Sequence, residues 1–180
     1  MGKHKITMNL SDESVRNAIK ELNQYKSDVL RKTQEYVSRL SELGIQTSKN
    51  NVGNFGRYIT FSKELEPNKY GCKAIVLATQ TGTIVSRWQT KDGIKSADVS
   101  PLLMAEFGSG HRAENPMNVP GVGQGTFPDQ THAFDEDGWY WRDLDGELHH
   151  SKGVTPSMPM YKAFVEMELS TIRIAREVFG

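Results

Sequence analysis

The sequence predicts an α+β domain in which a long N-terminal helix and a C-terminal helix pack with an antiparallel sheet of about four to six strands. Two observations predict the helices: apolar residues recur at steps of three and four over residues 11–44, and that spacing returns toward the C-terminus. A third predicts the sheet, since short apolar runs separated by turn residues fill the middle of the chain. The 180 residues fit one domain, residues 1–180, with enough length to bury a core without metal or disulfide staples.

Taken in order, Ile6, Met8 and Leu10 alternate with polar residues and predict a short strand. Ser11 follows as a helix N-cap, with Asp12 and Glu13 placed to complement the helix dipole. The helical stripe runs from Val15 through Ala18, Ile19, Leu22, Tyr25, Val29, Leu30, Tyr36, Val37, Leu40 and Leu43 to Gly44, which reads as a C-terminal cap. Such a helix is about 50 Å long. That exceeds what a compact domain of this size needs, so part of it is expected to project or to pack on a neighbour. Residues 46–57 read as a loop, and strands are predicted at 58–65, 72–79 and 83–90, the last two joined by a Gln80-Thr81-Gly82 hairpin turn. Residues 91–97 read as a polar, extended approach to Ser100 and Pro101, which start a short helix over 102–107 that Gly108 ends. Residues 109–137 carry almost no periodic apolar residues and predict a long loop, of the kind that is ordered on assembly. A second hairpin is expected around Asp145-Gly146, from strands at 139–143 and 147–151. The last helix is capped by Ser157 or Thr155, and its inner face is expected to be Tyr161, Phe164, Val165, Leu169, Ile172, Ala175 and Phe179.

Lysine plus arginine and aspartate plus glutamate balance at 22 each, which argues against a general nucleic-acid binder. The balance hides a split. Residues 1–69 hold 12 basic and 8 acidic side chains, whereas residues 70–180 hold 10 and 14. Asp129, Asp135, Glu136, Asp137, Asp143, Asp145 and Glu147 face only Arg142 in the most acidic stretch. That stretch is either a solvated loop or one half of a head-to-tail contact between identical subunits. The single cysteine, Cys72, leaves no internal disulfide to form and sits in an apolar run. No apolar stretch reaches the roughly 20 residues needed to span a bilayer, and the N-terminus has no signal-peptide core, so a membrane partner is not expected.

Catalytic readings find little support. Gly121, Gly123 and Gly125 suggest an anion-binding loop, but no Gly-Lys-Ser or Gly-Lys-Thr follows. His111, His132, His149 and His150, with Asp129, Asp135 and Asp137, supply ligand types for a metal-dependent nuclease or hydrolase, the alternative reading. Their spacing matches no metal pattern, and neighbours such as His149 and His150 on a strand point to opposite faces. Ser109 lacks a nucleophile elbow. Trp139, Tyr140 and Trp141 could stack on bases, but the acidic charge around them repels a phosphate backbone. No enzyme activity and no cofactor are therefore expected.

Three signals stand in order in the second half: Leu103-Met104-Ala105-Glu106-Phe107-Gly108-Ser109-Gly110, then Gly138-Trp139-Tyr140-Trp141, then Gly153-Val154-Thr155-Pro156-Ser157-Met158-Pro159-Met160. Together they resemble the neck and tail-completion proteins, or minor tail components, of long-tailed bacteriophages. The likeness lies in an acidic residue, an aromatic and a glycine ending a helix, in a Gly-Trp aromatic strand, and in a Pro-x-x-Pro turn leading into the last helix. Met160 departs from it, standing where the family often has an aromatic, and the loop over 109–137 is long for the family. The resemblance implies a structural virion protein, assembled in the bacterial cytoplasm, that forms a sixfold homo-oligomeric ring at the head-tail interface. Its implied partners are a connector or head-completion protein on one side and a tail terminator or tail tube protein on the other. Genomic DNA would pass through without sequence-specific binding. On this reading Glu106, Phe107, Trp139, Trp141, Pro156, Pro159 and Met160 are interface residues, and Asp135, Glu136 and Asp137 face the channel, where they repel passing DNA.

Overall fold

The computed structural model describes residues 5–120 and 135–180. The chain is α+β: the described residues form a long N-terminal helix, six strands in two antiparallel sheets, a short middle helix and a C-terminal helix.

Helix α1 spans Asp12–Asn51. Ser11 caps it by accepting a hydrogen bond from the Ser14 amide at 3.3 Å, with Asp12 and Glu13 in the first turn. Its 40 residues make a rod of about 60 Å. The helix continues past Gly44, which corrects the expectation that this residue ends it. Gly44 is buried within α1, and a Cβ there would meet Met167 Sδ at 2.6 Å. The glycine is there because another helix approaches closely, not because the chain turns. Residues 5–10 also differ from expectation. They form no strand and pair with none among the described residues, and Asn9 Oδ1 instead accepts from the Ser11 amide at 3.0 Å.

Strands β1, Ile59–Asn68, and β2, Gly71–Gln80, form a two-stranded antiparallel sheet in register from Ile59↔Gln80 to Asn68↔Gly71. Strands β3, Ile84–Thr90, and β4, Gly93–Val99, form the second hairpin. With β5, Trp139–Arg142, and β6, Leu148–Ser151, they complete a second sheet in the order β4-β3-β5-β6. The hairpin expected at Gln80-Thr81-Gly82 does not form, because β2 and β3 enter different sheets. Gly82 lacks the positive φ that a tight hairpin turn uses, and the Thr81 amide instead donates to Tyr58 O at 2.8 Å. Residues 91–97, expected to be a polar approach, mostly form β4. The turn into it is closed by Thr90 Oγ1, which donates to Gly93 O at 2.8 Å.

Helix α2, Pro101–Phe107, is capped by Ser100 and ends at Gly108 as expected. Helix α3, Pro159–Phe179, runs antiparallel along the C-terminal half of α1, and this helix pair is packed against the β1–β2 sheet. Lys63 ties the sheet to α1, donating to Ser38 O at 3.2 Å and pairing with Glu42 at 3.0 Å. Where α1, α2 and β1 converge, Val52, Ile59 and Ala105 form a core lined by Phe55, Tyr58, Phe61, Ala78 and Leu102.

The inner face of α3 matches the expected one only in part: Tyr161, Val165, Ala175 and Phe179 are half-buried, with the Phe179 ring 6.0 Å from that of Tyr36 on α1. Pro159, Ala163, Ser170, Ile174 and Val178 are buried, whereas Phe164, Leu169 and Ile172 are 47%, 74% and 66% exposed. Small residues on α1, namely Ser41, Gly44 and Ser48, are buried in turn. Two helices lined by small side chains approach closely, and the bulkier apolar residues of α3 are left on the far side.

Candidate functional site

Glu106, Gly108, Pro156, Pro159 and Met160, far apart in sequence, meet at one junction between α2 and the start of α3. Helix α3 begins without a side-chain cap of its own, because Met158 at its N-cap adopts a left-handed conformation with φ 54°. The Glu106 carboxylate fills that role from α2. It accepts from the Met160 and Tyr161 amides, each at 2.8 Å. A carboxylate at a helix N-terminus gains both from the unsatisfied amides and from the helix dipole. This corrects the expectation that Ser157 or Thr155 caps the helix. Ser157 instead turns its hydroxyl to Ala105 O at 3.1 Å, and the Ser157 and Met158 amides donate to that same carbonyl.

Gly108 and Gly153 let the two strands of the junction touch. The Ser109 amide donates to Val154 O at 2.9 Å, and the Val154 amide to Ser109 Oγ at 3.1 Å. Gly108 has φ +69°, and a Cβ on it would overlap the Val154 carbonyl and the Pro156 ring. Gly153 has φ +99°, and a Cβ on it would overlap the Ser109 carbonyl. Pro159 is fully buried, and its carbonyl accepts from Ser48 Oγ of α1 at 3.3 Å, while Met160 Sδ lies 3.6 Å from the same hydroxyl. Phe107 is half-buried, and its carbonyl accepts from the Glu114 amide at 2.9 Å. Replacing Glu106 with alanine is expected to lower stability by about 1–2 kcal/mol, with a smaller loss for glutamine. Urea unfolding of the two variants measures both.

Trp139 and Trp141 lie apart from this junction, on the second sheet. Register places them on the face that also holds Trp88, so all three tryptophans of the chain share one side. Each is half-buried. His149 stacks on Trp141 with ring centroids 4.6 Å apart, and its Nε2 lies 2.7 Å from Asp143 Oδ2. Asp143 also accepts from the Asp145 and Glu147 amides, which closes the β5–β6 turn. The His149 hydrogen bond, aided by those two amides, holds the Asp143 carboxyl below its usual value of 3.8. Its contribution to folding is therefore present above pH 3.8 and fades as pH falls through the lowered native value. Thermal unfolding followed from about pH 6 to about pH 2 is expected to show a steeper acid loss for the native chain than for Asp143→Asn.

His150 points to the opposite face, where its ring lies tilted against that of Tyr140 and its ring nitrogen meets the Asp137 carbonyl. His111 is exposed in a short turn, Gly110–Arg112. Among the described residues no group of three or more histidine, cysteine, aspartate or glutamate side chains could hold a metal ion. His132, Asp129 and the glycines of 121–125 lie outside the described residues, as do all of residues 121–134 in the loop predicted over 109–137. Asp135, Glu136 and Asp137 are exposed, where the chain turns into β5. Cys72 is half-buried at the start of β2. No helix among the described residues is long and apolar enough to cross a membrane.

Among the described residues three apolar surfaces on the helices and second sheet face outward. One is the far side of α3, with Phe164, Leu169 and Ile172, and another is the N-terminal half of α1, with Ile19, Leu22 and Tyr25. The third is the second sheet's face opposite the tryptophans, where Val85, Ile94, Tyr140 and Leu148 are 50%, 67%, 68% and 57% exposed. The sequence shows the α3 surface as an apolar stripe, whose residues it predicts for the interior. The signal that places it outside is the spacing of Ser41, Gly44 and Ser48 on α1, a row of small residues that calls for a small-residue partner. Comparison of the chain with family models, curated proteins and solved structures finds no match in any of the three.

Proposed function

We propose that this chain is a structural subunit of a bacteriophage neck or tail, and that copies of it form a ring that joins or completes the tail at the head-tail interface. The observation that carries this reading is the outward apolar stripe of α3. A helix that buries its small side chains and exposes Phe164, Leu169 and Ile172 has two packing faces, one for its own chain and one for a neighbour. A ring requires a heterologous contact that closes on itself. The charge split between the two halves of the sequence suits such a contact, and so does a rod as long as α1. In the ring, a connector or head-completion protein lies on one side and a tail terminator or tube protein on the other. DNA passes the exposed acids Asp135, Glu136 and Asp137 without being read.

The test is electron microscopy of lysates from a phage deleted for this gene. Filled capsids beside unjoined tails, or tails with abnormal ends, support the proposal. Normal, joined and infectious particles overturn it.

A further inference from the structure

We propose that residues 5–10 of one copy add as a strand to the free edge of β2 in the next copy, an inference that rests on the ring reading above. The acceptor is unusual for an exposed edge. Natural edge strands are guarded by charge, proline or short length. The β1 edge follows that rule, with Lys63, Glu64, Glu66 and Pro67. The β2 edge does not: it is 10 residues long, Ala74 to Ala78 are all apolar, and Lys73 is its one charge. Beyond β1 it pairs with no strand among the described residues, and a two-stranded sheet is by itself a marginal unit.

The face of β2 beside that edge is apolar as well. Lys63 lies opposite Val76 and reaches α1, so Ala74, Val76 and Ala78 face α1 while Ile75 and Leu77 face away from it. Ile75 and Leu77 are half-buried rather than covered.

The donor is the segment before α1. It belongs to no helix or strand, it alternates Ile6, Met8 and Leu10 with polar residues, and Met8 and Leu10 are 61% and 97% exposed. The period is that of a strand, and the chain supplies no ladder for it among the described residues. Its own β2 is out of reach. The middle of β2 lies level with Ser38 and Glu42 through Lys63, and Ser11 is about 40 Å along α1 from Ser38. Residues 5–10 span at most about 21 Å even when fully extended. The α1 rod thus holds a strand donor well away from the acceptor on its own chain, which is the geometry of a head-to-tail contact between copies. Strand addition supplies main-chain hydrogen bonds, and Met8 and Leu10 supply apolar cover for Ile75 and Leu77.

The test compares the full chain with the double variant Met8→Asp, Leu10→Asp, using sedimentation for mass and hydrogen exchange for the β2 amides. Both positions are exposed, so the variant's thermal unfolding midpoint as a monomer should match that of the native chain, a check that separates lost contact from lost fold. The full chain is expected to assemble and to slow exchange at the alternate β2 amides that do not bond to β1 by at least about tenfold. The double variant should lose that protection. A variant that assembles with native β2 protection, or a native assembly with unprotected β2, overturns the strand addition while leaving the ring reading in place. A full chain that stays monomeric up to about millimolar concentration overturns both.

Discussion

Replacing Gly153 with alanine is expected to lower stability by about 3–4 kcal/mol, a large part of what a domain of this size has. Two terms add. The backbone at φ +99° lies where an L side chain is strained, and the new Cβ overlaps the Ser109 carbonyl. Relief requires the two strands of the junction to separate, which breaks the Ser109–Val154 hydrogen bonds and loosens the turn that presents the Met160 and Tyr161 amides to Glu106. Gly71→Ala is the matched control, since a Cβ there meets nothing within 4 Å. Its effect should stay within about 0.5 kcal/mol. Denaturant midpoints for the two variants, compared with the native chain, decide the matter. Equal midpoints would mean that the junction flexes freely and does not organise the fold.

The second large effect concerns assembly. The pair Leu169→Glu, Ile172→Glu places two charges on the outward stripe of α3, at side chains that are 74% and 66% exposed. Because neither side chain is packed against α1, monomer stability should change by no more than about 0.5 kcal/mol for each. Burial of two carboxylates in an apolar contact between copies, by contrast, is strongly unfavourable. On the proposed ring reading, sedimentation should therefore show loss of the oligomer with the fold intact, and particles carrying the variant should fail at the neck. An unchanged oligomer would remove the α3 stripe from the proposed interface.

Much of the architecture was legible, and the misses share a cause. The start of α1 could be placed because Ser11, Asp12 and Glu13 act locally on the first helical turn. Its end could not, since a glycine at a helix terminus and a glycine at a helix crossing look alike until the partner is known. Met167, which explains Gly44, is distant in sequence. The rule that bulky apolar residues seek the core predicts an inward α3 stripe. The small residues of α1 overrode that rule, because close approach of two helices favours Ala163 and Ser170 at the contact. The turn at Gln80-Thr81-Gly82 had suitable residues but not the dihedral angles of a hairpin. As for the junction, the Glu-Phe-Gly and Pro-x-x-Pro segments could be recognised and ordered. That one supplies the cap for the other depends on a contact across 54 residues, Glu106 to Met160, which no local pattern encodes.

The Ser109–Val154 clasp has a consequence for how this chain can change over time. It holds the two ends of a long excursion, which includes β5 and β6, within hydrogen-bonding distance of each other. Helices α1 and α3, sheet β1–β2 and the Glu106 cap lie outside the excursion, and among the described residues the β3–β4 hairpin pairs with it at the single register pair Gln89↔Arg142. Insertion, exchange or shortening within it therefore alters what the subunit presents to its surroundings while the helical frame keeps its geometry. The clasp thus works as the neck of a drawstring, which lets the length gathered between its ends vary without moving the helical frame.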